Sequence, residues 1–183
     1  MKRMDFNEWL KPHQDKGGSY FQALTREIIG QQLSGKAAKT IFGRFMELFG
    51  GTEPEPKFVL ALSDDQLRGV GLSRSKANYI KNIAQAVLDE TLDLKNIGNL
   101  PDSRVVEQLI KIKGIGQWTA EMFLMFTLGR ENVFSHGDLG LKKGVTKIYG
   151  LESPSADELK KITQSWNPYK SFGSFALWAS LEE

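Results

Sequence analysis

The sequence predicts an all-α chain of roughly nine or ten helices. Three observations carry that expectation. Apolar residues return at helical spacing along most of the 183 residues. The β-branched residues are scattered, without period-2 runs or Asn-Gly hairpins. The breaks between periodic stretches are short and are punctuated by Gly, Pro and capping Ser or Asp residues. A chain of this length fits one domain, or one core folded as two small lobes.

Each helix follows from its own pattern. From Tyr20 to Leu33, Phe21, Leu24, Ile28 and Leu33 fall close to one face, and Ile29 broadens it. Lys36 to Phe49 carries Ala37, Ile41, Phe45, Leu48 and Phe49, and stops at Gly50-Gly51. Pro54 and Pro56 mark a loop, after which Ser63-Asp64-Asp65-Gln66 reads as a capping start for a short helix to Gly69. Ser73 to Leu88 repeats Ala77, Ile80, Ile83, Ala84 and Val87. The tract Leu92–Pro101 reads as a crossing between two lobes, and Pro101-Asp102-Ser103 opens a helix to about Ile112. Gln117–Leu128, Asp138–Ile148, Ser155–Trp166 and Pro168–Leu181 complete the series.

Composition excludes several functions. With no cysteine there is no disulfide framework, thiolate-held zinc or cysteine-ligated iron–sulfur cluster, and two His make a His-rich metal site equally improbable. No metal site is therefore expected. No apolar run approaches membrane-spanning length, and Met1–Lys11 is charged throughout, unlike a signal peptide. The expectation is a soluble, cytoplasmic protein. Lys and Arg total 24 against 22 Asp and Glu, a net charge of +2 that permits nucleic acid without pointing to it.

One motif echoes within the chain. Arg68-Gly69-Val70-Gly71-Leu72 resembles Lys113-Gly114-Ile115-Gly116-Gln117, and each precedes a helix. A tight helical connection accounts for the first copy without any function. In the second, two glycines let the backbone turn sharply while Ile115 plugs the space between helices. The amides of Gly114, Gly116 and the turn that follows then point outward from a helix start, an arrangement that binds phosphate without net positive charge.

Four blocks resemble a known family. They are Ile28-Ile29-Gly30-Gln31-Gln32-Leu33-Ser34; the hairpin with Gly116-Gln117-Trp118-Thr119-Ala120; Val133-Phe134-Ser135-His136-Gly137-Asp138-Leu139-Gly140-Leu141; and Trp166-Asn167-Pro168-Tyr169-Lys170-Ser171 leading to Ala176-Leu177-Trp178. In this order they resemble the helix–hairpin–helix superfamily of base-excision DNA glycosylases, most closely its alkylbase branch. The loop before Asp138 departs from the family pattern in having Gly137 but no Pro.

The resemblance implies a single two-lobed helical domain over residues 1–183, a hairpin over 103–128 and an active site in the cleft between lobes. It implies a monomer acting on double-stranded DNA, associated with the nucleoid, that removes alkylated purines in base excision repair. Asp138 becomes the catalytic carboxylate, although its position alone reads as an ordinary N-cap. A helix start favours its ionised form, suited to an oxocarbenium-like transition state. Trp118 and Trp178 would line the base pocket, where indole faces attract a cationic base by up to about 2 kcal/mol; alone, both read as core tryptophans. Met122 would add to the wall where close relatives often carry an aromatic; Tyr20 is a lesser candidate, and Phe21 reads as core.

Further roles follow from the same resemblance. Gln32 would wedge into the gap left by the flipped base, or simply be a solvated helical glutamine. Gly114, Gly116 and Thr119 would meet the DNA backbone at the hairpin. Lys142 and Lys143 are placed to meet phosphates, or form a solvated face. A Trp at position 118, where lyase-competent relatives have Lys, implies a monofunctional enzyme without a Schiff base. Hairpin carbonyls around Ile110 to Ile115 would hold Na+ or K+, and no other cofactor is implied. His136 is assigned no role. The chain reads as a compact version lacking an N-terminal β-rich domain. The competing readings are a non-catalytic hairpin module that binds DNA, and a glycosylase for another lesion class.

Overall fold

The computed structural model describes residues 19–181. Met1–Lys11 and most of the tract ahead of the first helix lie outside them. Among the described residues there are ten α-helices and no strand, as the sequence predicts. They are α1 (Tyr20–Gly30), α2 (Gly35–Glu47), α3 (Pro56–Ala61), α4 (Asp64–Gly69), α5 (Arg74–Leu88), α6 (Asp102–Ile110), α7 (Gln117–Met122), α8 (Leu139–Tyr149), α9 (Ala156–Gln164) and α10 (Lys170–Ser180). A 3-10 turn spans Ile97–Asn99, and a π turn, Phe123–Thr127, continues α7.

Helix starts are set by local chemistry. Ser19, Ser34, Ser63, Ser73 and Ser155 each accept a hydrogen bond from a first-turn amide, and Ser63/Gln66 and Ser155/Glu158 close full capping boxes. The ends depart more from expectation. α1 stops at Gly30 rather than Leu33, because Gln32 takes a left-handed φ of 58°. α2 ends at Glu47 before Gly50 and Gly51, whose φ values are 64° and 77°. The expected loop at Pro56 is instead the start of α3: proline is tolerated there because a first-turn amide has no intrahelical partner to lose.

Two apolar clusters organise the chain. The larger is centred on Leu24, Ile28, Phe45, Ile80, Leu109, Phe123 and Phe175. The smaller joins Phe134, Leu141, Val145, Leu159 and Leu177, with Trp166 against it. Trp178 packs on both clusters, so the C-terminal helix forms their seam. The tract Leu92–Pro101 links α5 to α6 and buries Leu92, Leu94 and Ile97 in the larger cluster.

Helices α8 and α10 approach closely through Gly144. A Cβ there would lie 2.8 Å from Leu177 Cβ and 2.9 Å from its carbonyl oxygen. Backbone cannot swing aside as a side-chain end can. Gly144→Ala is therefore expected to destabilise the protein by about 1–3 kcal/mol, read as a lower denaturant midpoint with an unchanged m-value.

Candidate active site

Asp138 is built into the start of α8. Its Oδ1 accepts the Leu141 amide at 2.8 Å, the hydrogen bond of an N-cap. The same oxygen accepts the indole N–H of Trp178 at 3.1 Å, and Oδ2 accepts that of Trp118 at 2.7 Å. One carboxylate thus gathers α7, α8 and α10 around itself. All three contacts are N–H donors to carboxylate oxygens. Gly140 makes room for the arrangement: a Cβ there would sit 3.0 Å from both Asp138 Oδ1 and Trp178 Nε1.

The loop before Asp138 is fixed from behind. The Ser171 hydroxyl donates to the Arg130 carbonyl at 2.6 Å and accepts the Val133 amide at 3.1 Å. The Arg130 guanidinium in turn donates to the carbonyls of Gly98 and Leu100. His136 packs edge-on against Phe134, with ring centroids 4.9 Å apart. Burial is the main influence holding its imidazole below the usual range, with Glu121 pulling the other way.

The aromatic candidates are partly available. Trp118 is 39% exposed, so its indole edge meets Asp138 while much of its surface stays open. Trp178 is half-buried and stacks on Phe126 at 5.7 Å. Met122 is buried in the larger cluster, one turn beyond Trp118. Phe21 is buried in the core, while Tyr20 sits edge-on to Phe123.

The hairpin and its earlier echo are related differently from their sequences. The backbone equivalence is shifted by two residues. Gly71 and Gly114 both take positive φ (104° and 114°), Leu72 and Ile115 are both buried plugs, and Ser73 and Gly116 are both N-caps. The difference lies at the cap. Ser73 closes its helix start by accepting the Lys76 amide, whereas Gly116 makes no side-chain cap bond and has open space around it. Of the two copies, only the second leaves its helix start without a side-chain cap.

Around this hairpin lies a support that sequence reasoning missed. Gln31 Nε2 reaches the Gly114 carbonyl at 3.3 Å and Thr119 Oγ1 at 3.1 Å. Thr119 is consequently buried, its hydroxyl turned inward. Asn82 Nδ2 donates to the Lys113 carbonyl at 3.0 Å. Lys76 Nζ donates to the carbonyls of Ile29 and Gln31 at 2.8 and 2.7 Å, tying the end of α1 to α5, and burial lowers its ammonium below the usual lysine range. Gln32 projects from the turn so held and is exposed. It lies in a turn with a left-handed φ of 58°, so it is not the solvated helical glutamine of the alternative reading. Lys142 is half-buried and Lys143 exposed, both in the first turns of α8. Only the neighbouring pair Gln31-Gln32 signalled this support in the sequence.

The family model for HhH-GPD superfamily base excision DNA repair proteins matches residues 25–168. The chain belongs to that superfamily. A putative DNA-3-methyladenine glycosylase of Bacillus subtilis, YfjP, is 33% identical over 171 residues, covering 90% of this chain and 60% of the relative. Among solved structures, a DNA-3-methyladenine glycosidase from Bacillus halodurans is 40% identical with a TM-score of 0.79, over 88% of this chain and 75% of that one. The 3-methyladenine DNA glycosylase of fission yeast in complex with abasic DNA is 28% identical with a TM-score of 0.83, over 91% and 84%. In this HhH-GPD chain the matched segment includes the Gln31 turn, the hairpin and Asp138 together. No helix of its described residues is long and apolar enough to cross a membrane.

Proposed function

We propose that the chain is a monofunctional DNA glycosylase that extrudes alkylated purines and hydrolyses their N-glycosidic bond, leaving an abasic site. One observation carries the reading: a carboxylate held by two indole N–H groups and a helix amide, at the seam of two clusters. The glycosylase names of the relatives and the abasic DNA bound by the fission yeast protein support it.

The chemistry follows from the residues. As the C1′–N bond lengthens, positive charge grows on the deoxyribose, and the fixed Asp138 carboxylate stabilises it. Asp138 also orients the attacking water. Trp118 and Trp178 offer indole faces to a base made cationic by N3- or N7-methylation, which departs as a neutral molecule. Trp118 cannot form a Schiff base, so no covalent lyase intermediate forms there.

The grip on DNA is assigned to the hairpin at Gly114 and Gly116, where the α7 start has no side-chain cap, to the Thr119 backbone, and to Lys142 and Lys143. Gln32 fills the gap in the stack. The hairpin carbonyls are the donor type that a sodium or potassium ion takes. The carbonyls around Ile110 to Ile115 would hold it; those of Ile112, Lys113 and Gly114 also accept hydrogen bonds within the protein. Bound there, the ion would add positive charge to the hairpin. The protein works as a monomer, one unit over residues 1–183.

Release of 3-methyladenine and 7-methylguanine from methylated duplex tests the proposal. Wild type is expected to release both, and borohydride is expected to trap no adduct. DNA binding without release would identify a hairpin module, and efficient trapping would overturn the monofunctional assignment.

A further inference from the structure

The two indoles that bond Asp138 are held unequally. Trp118 is 39% exposed, and among the described residues no ring packs on it. Trp178 is restrained three ways. Its N–H donates to Asp138 Oδ1 at 3.1 Å. Gly140 lies against its edge, where an added Cβ would be 3.1 Å from Trp178 Cδ1. Phe126 stacks on the indole with 24° between the ring planes, and Phe175 sits tilted against it at 6.0 Å.

Phe126 owes its place to the π turn. Trp118, Met122 and Phe126 are spaced four apart, and in a continuous α-helix each such step drifts about 40° round the axis. Here the helix widens after Met122, and the Leu128 amide reaches back five residues to the Phe123 carbonyl at 3.0 Å. Each residue of a wider turn advances through a smaller angle, so Phe126 stays nearer the face that carries Trp118 and Met122. From there its ring meets Phe175 and Trp178 of α10. Turns of this kind are rare and concentrate at functional sites. One helix thus reaches the carboxylate twice, directly through Trp118 and indirectly through Phe126 and Trp178.

We propose that Phe126 is a positioning residue of this site, its ring fixing the plane of the Trp178 indole so that the N–H stays on Asp138. The inference rests on the glycosylase reading and deepens it. Phe126 acts only through Trp178. An indole allowed to tilt loses its hydrogen bond before its burial, because the bond weakens steeply with angle while apolar contact is non-directional. Asp138 would then be held by the Leu141 amide and Trp118 alone. The carboxylate would face the sugar less often in the productive geometry.

The test pairs Phe126→Leu, which keeps an apolar side chain without a flat ring, with Phe126→Tyr, which keeps the ring. Indole N–H signals are followed in a nitrogen–proton correlation spectrum, assigned by Trp118→Phe and Trp178→Phe. In wild type both signals should be shifted downfield and protected from exchange. In Phe126→Leu the Trp178 signal should move upfield and exchange at least about tenfold faster, while that of Trp118 stays. Single-turnover release of 7-methylguanine should fall about tenfold, with affinity for abasic-site duplex kept within about threefold. Phe126→Tyr should recover both readouts. Equal changes at the two indoles would make Phe126 merely structural and overturn the proposal. So would undiminished release by Phe126→Leu, or failure of Phe126→Tyr to do better than leucine. A Trp178 N–H that exchanges freely in wild type would overturn it without any variant. No release by wild type would overturn the glycosylase reading, and the catalytic part of the proposal with it.

Discussion

Asp138→Asn is expected to abolish measurable base release while leaving affinity for abasic-site duplex within about threefold. The substitution keeps size and shape, and asparagine is as good an N-cap as aspartate, so α8 should still start at the same residue. The amide oxygen can go on accepting from Leu141 and from Trp178, which share one oxygen now. The charge is lost, and with it the stabilisation of positive charge on the sugar. Removing one such electrostatic partner from a site depleted of water costs on the order of 10³-fold in rate, about 4 kcal/mol. A second effect separates this result from misfolding. The new NH2 group faces the Trp118 N–H, donor against donor, where a 2.7 Å hydrogen bond was. Trp118 should therefore shift in emission while the far-ultraviolet helical signal stays. Retained release would dismiss Asp138 from the chemistry; lost binding together with lost release would mean that its three hydrogen bonds are chiefly structural.

The sequence announced what local chemistry decides. The starts at Ser63, Ser73, Asp138 and Ser155 were legible because an N-cap is a matter of three or four consecutive residues. The helical stripes were legible because burial imposes their period. Helix ends were less so: α1 stops where Lys76, distant in the chain, takes the Ile29 and Gln31 carbonyls. The π turn after α7 was unreadable for a related reason. Phe123, Leu124 and Met125 are consecutive and all buried, a demand of packing from several sides that periodicity does not reveal. At the site, resemblance singled out Asp138, Trp118 and Trp178, but not that both indole edges bond the carboxylate. Gln31 passed unnoticed because its partners, Gly114 and Thr119, lie far along the chain.

Gly114→Ala is expected to damage the protein far more than Gly116→Ala, although the two positions flank one residue. At Gly114 two separate costs coincide. Its φ of 114° is a conformation that side-chain-bearing residues rarely adopt, and an added Cβ would lie 2.3 Å from Tyr79 Cγ and 2.5 Å from Tyr79 Cβ. Those atoms are the root of the tyrosine, so no rotation of its ring relieves the overlap. The two together should destabilise by about 2–4 kcal/mol. Displacing Tyr79 also moves Asn82, one turn further along α5, off the Lys113 carbonyl. The hairpin then loses its backing, and DNA affinity should fall at least about tenfold for lesion and undamaged duplex alike. Gly116 has an ordinary φ of −94° and open space around it. Alanine there should cost about 1 kcal/mol or less of stability, from poorer capping, while its methyl group intrudes where a phosphate would approach. The pair separates fold from binding: Gly116→Ala should weaken DNA binding at nearly unchanged denaturant midpoint, and Gly114→Ala should lower both. Adding Tyr79→Ala to Gly114→Ala provides the cross-check, since removing the ring relieves its Cγ and Cδ1 contacts but neither the φ strain nor the Cβ contact. A positive coupling of about 1 kcal/mol between the two is expected. Strict additivity would place the whole cost in the backbone, and equal destabilisation by the two glycine substitutions would refute the division of labour argued for this turn.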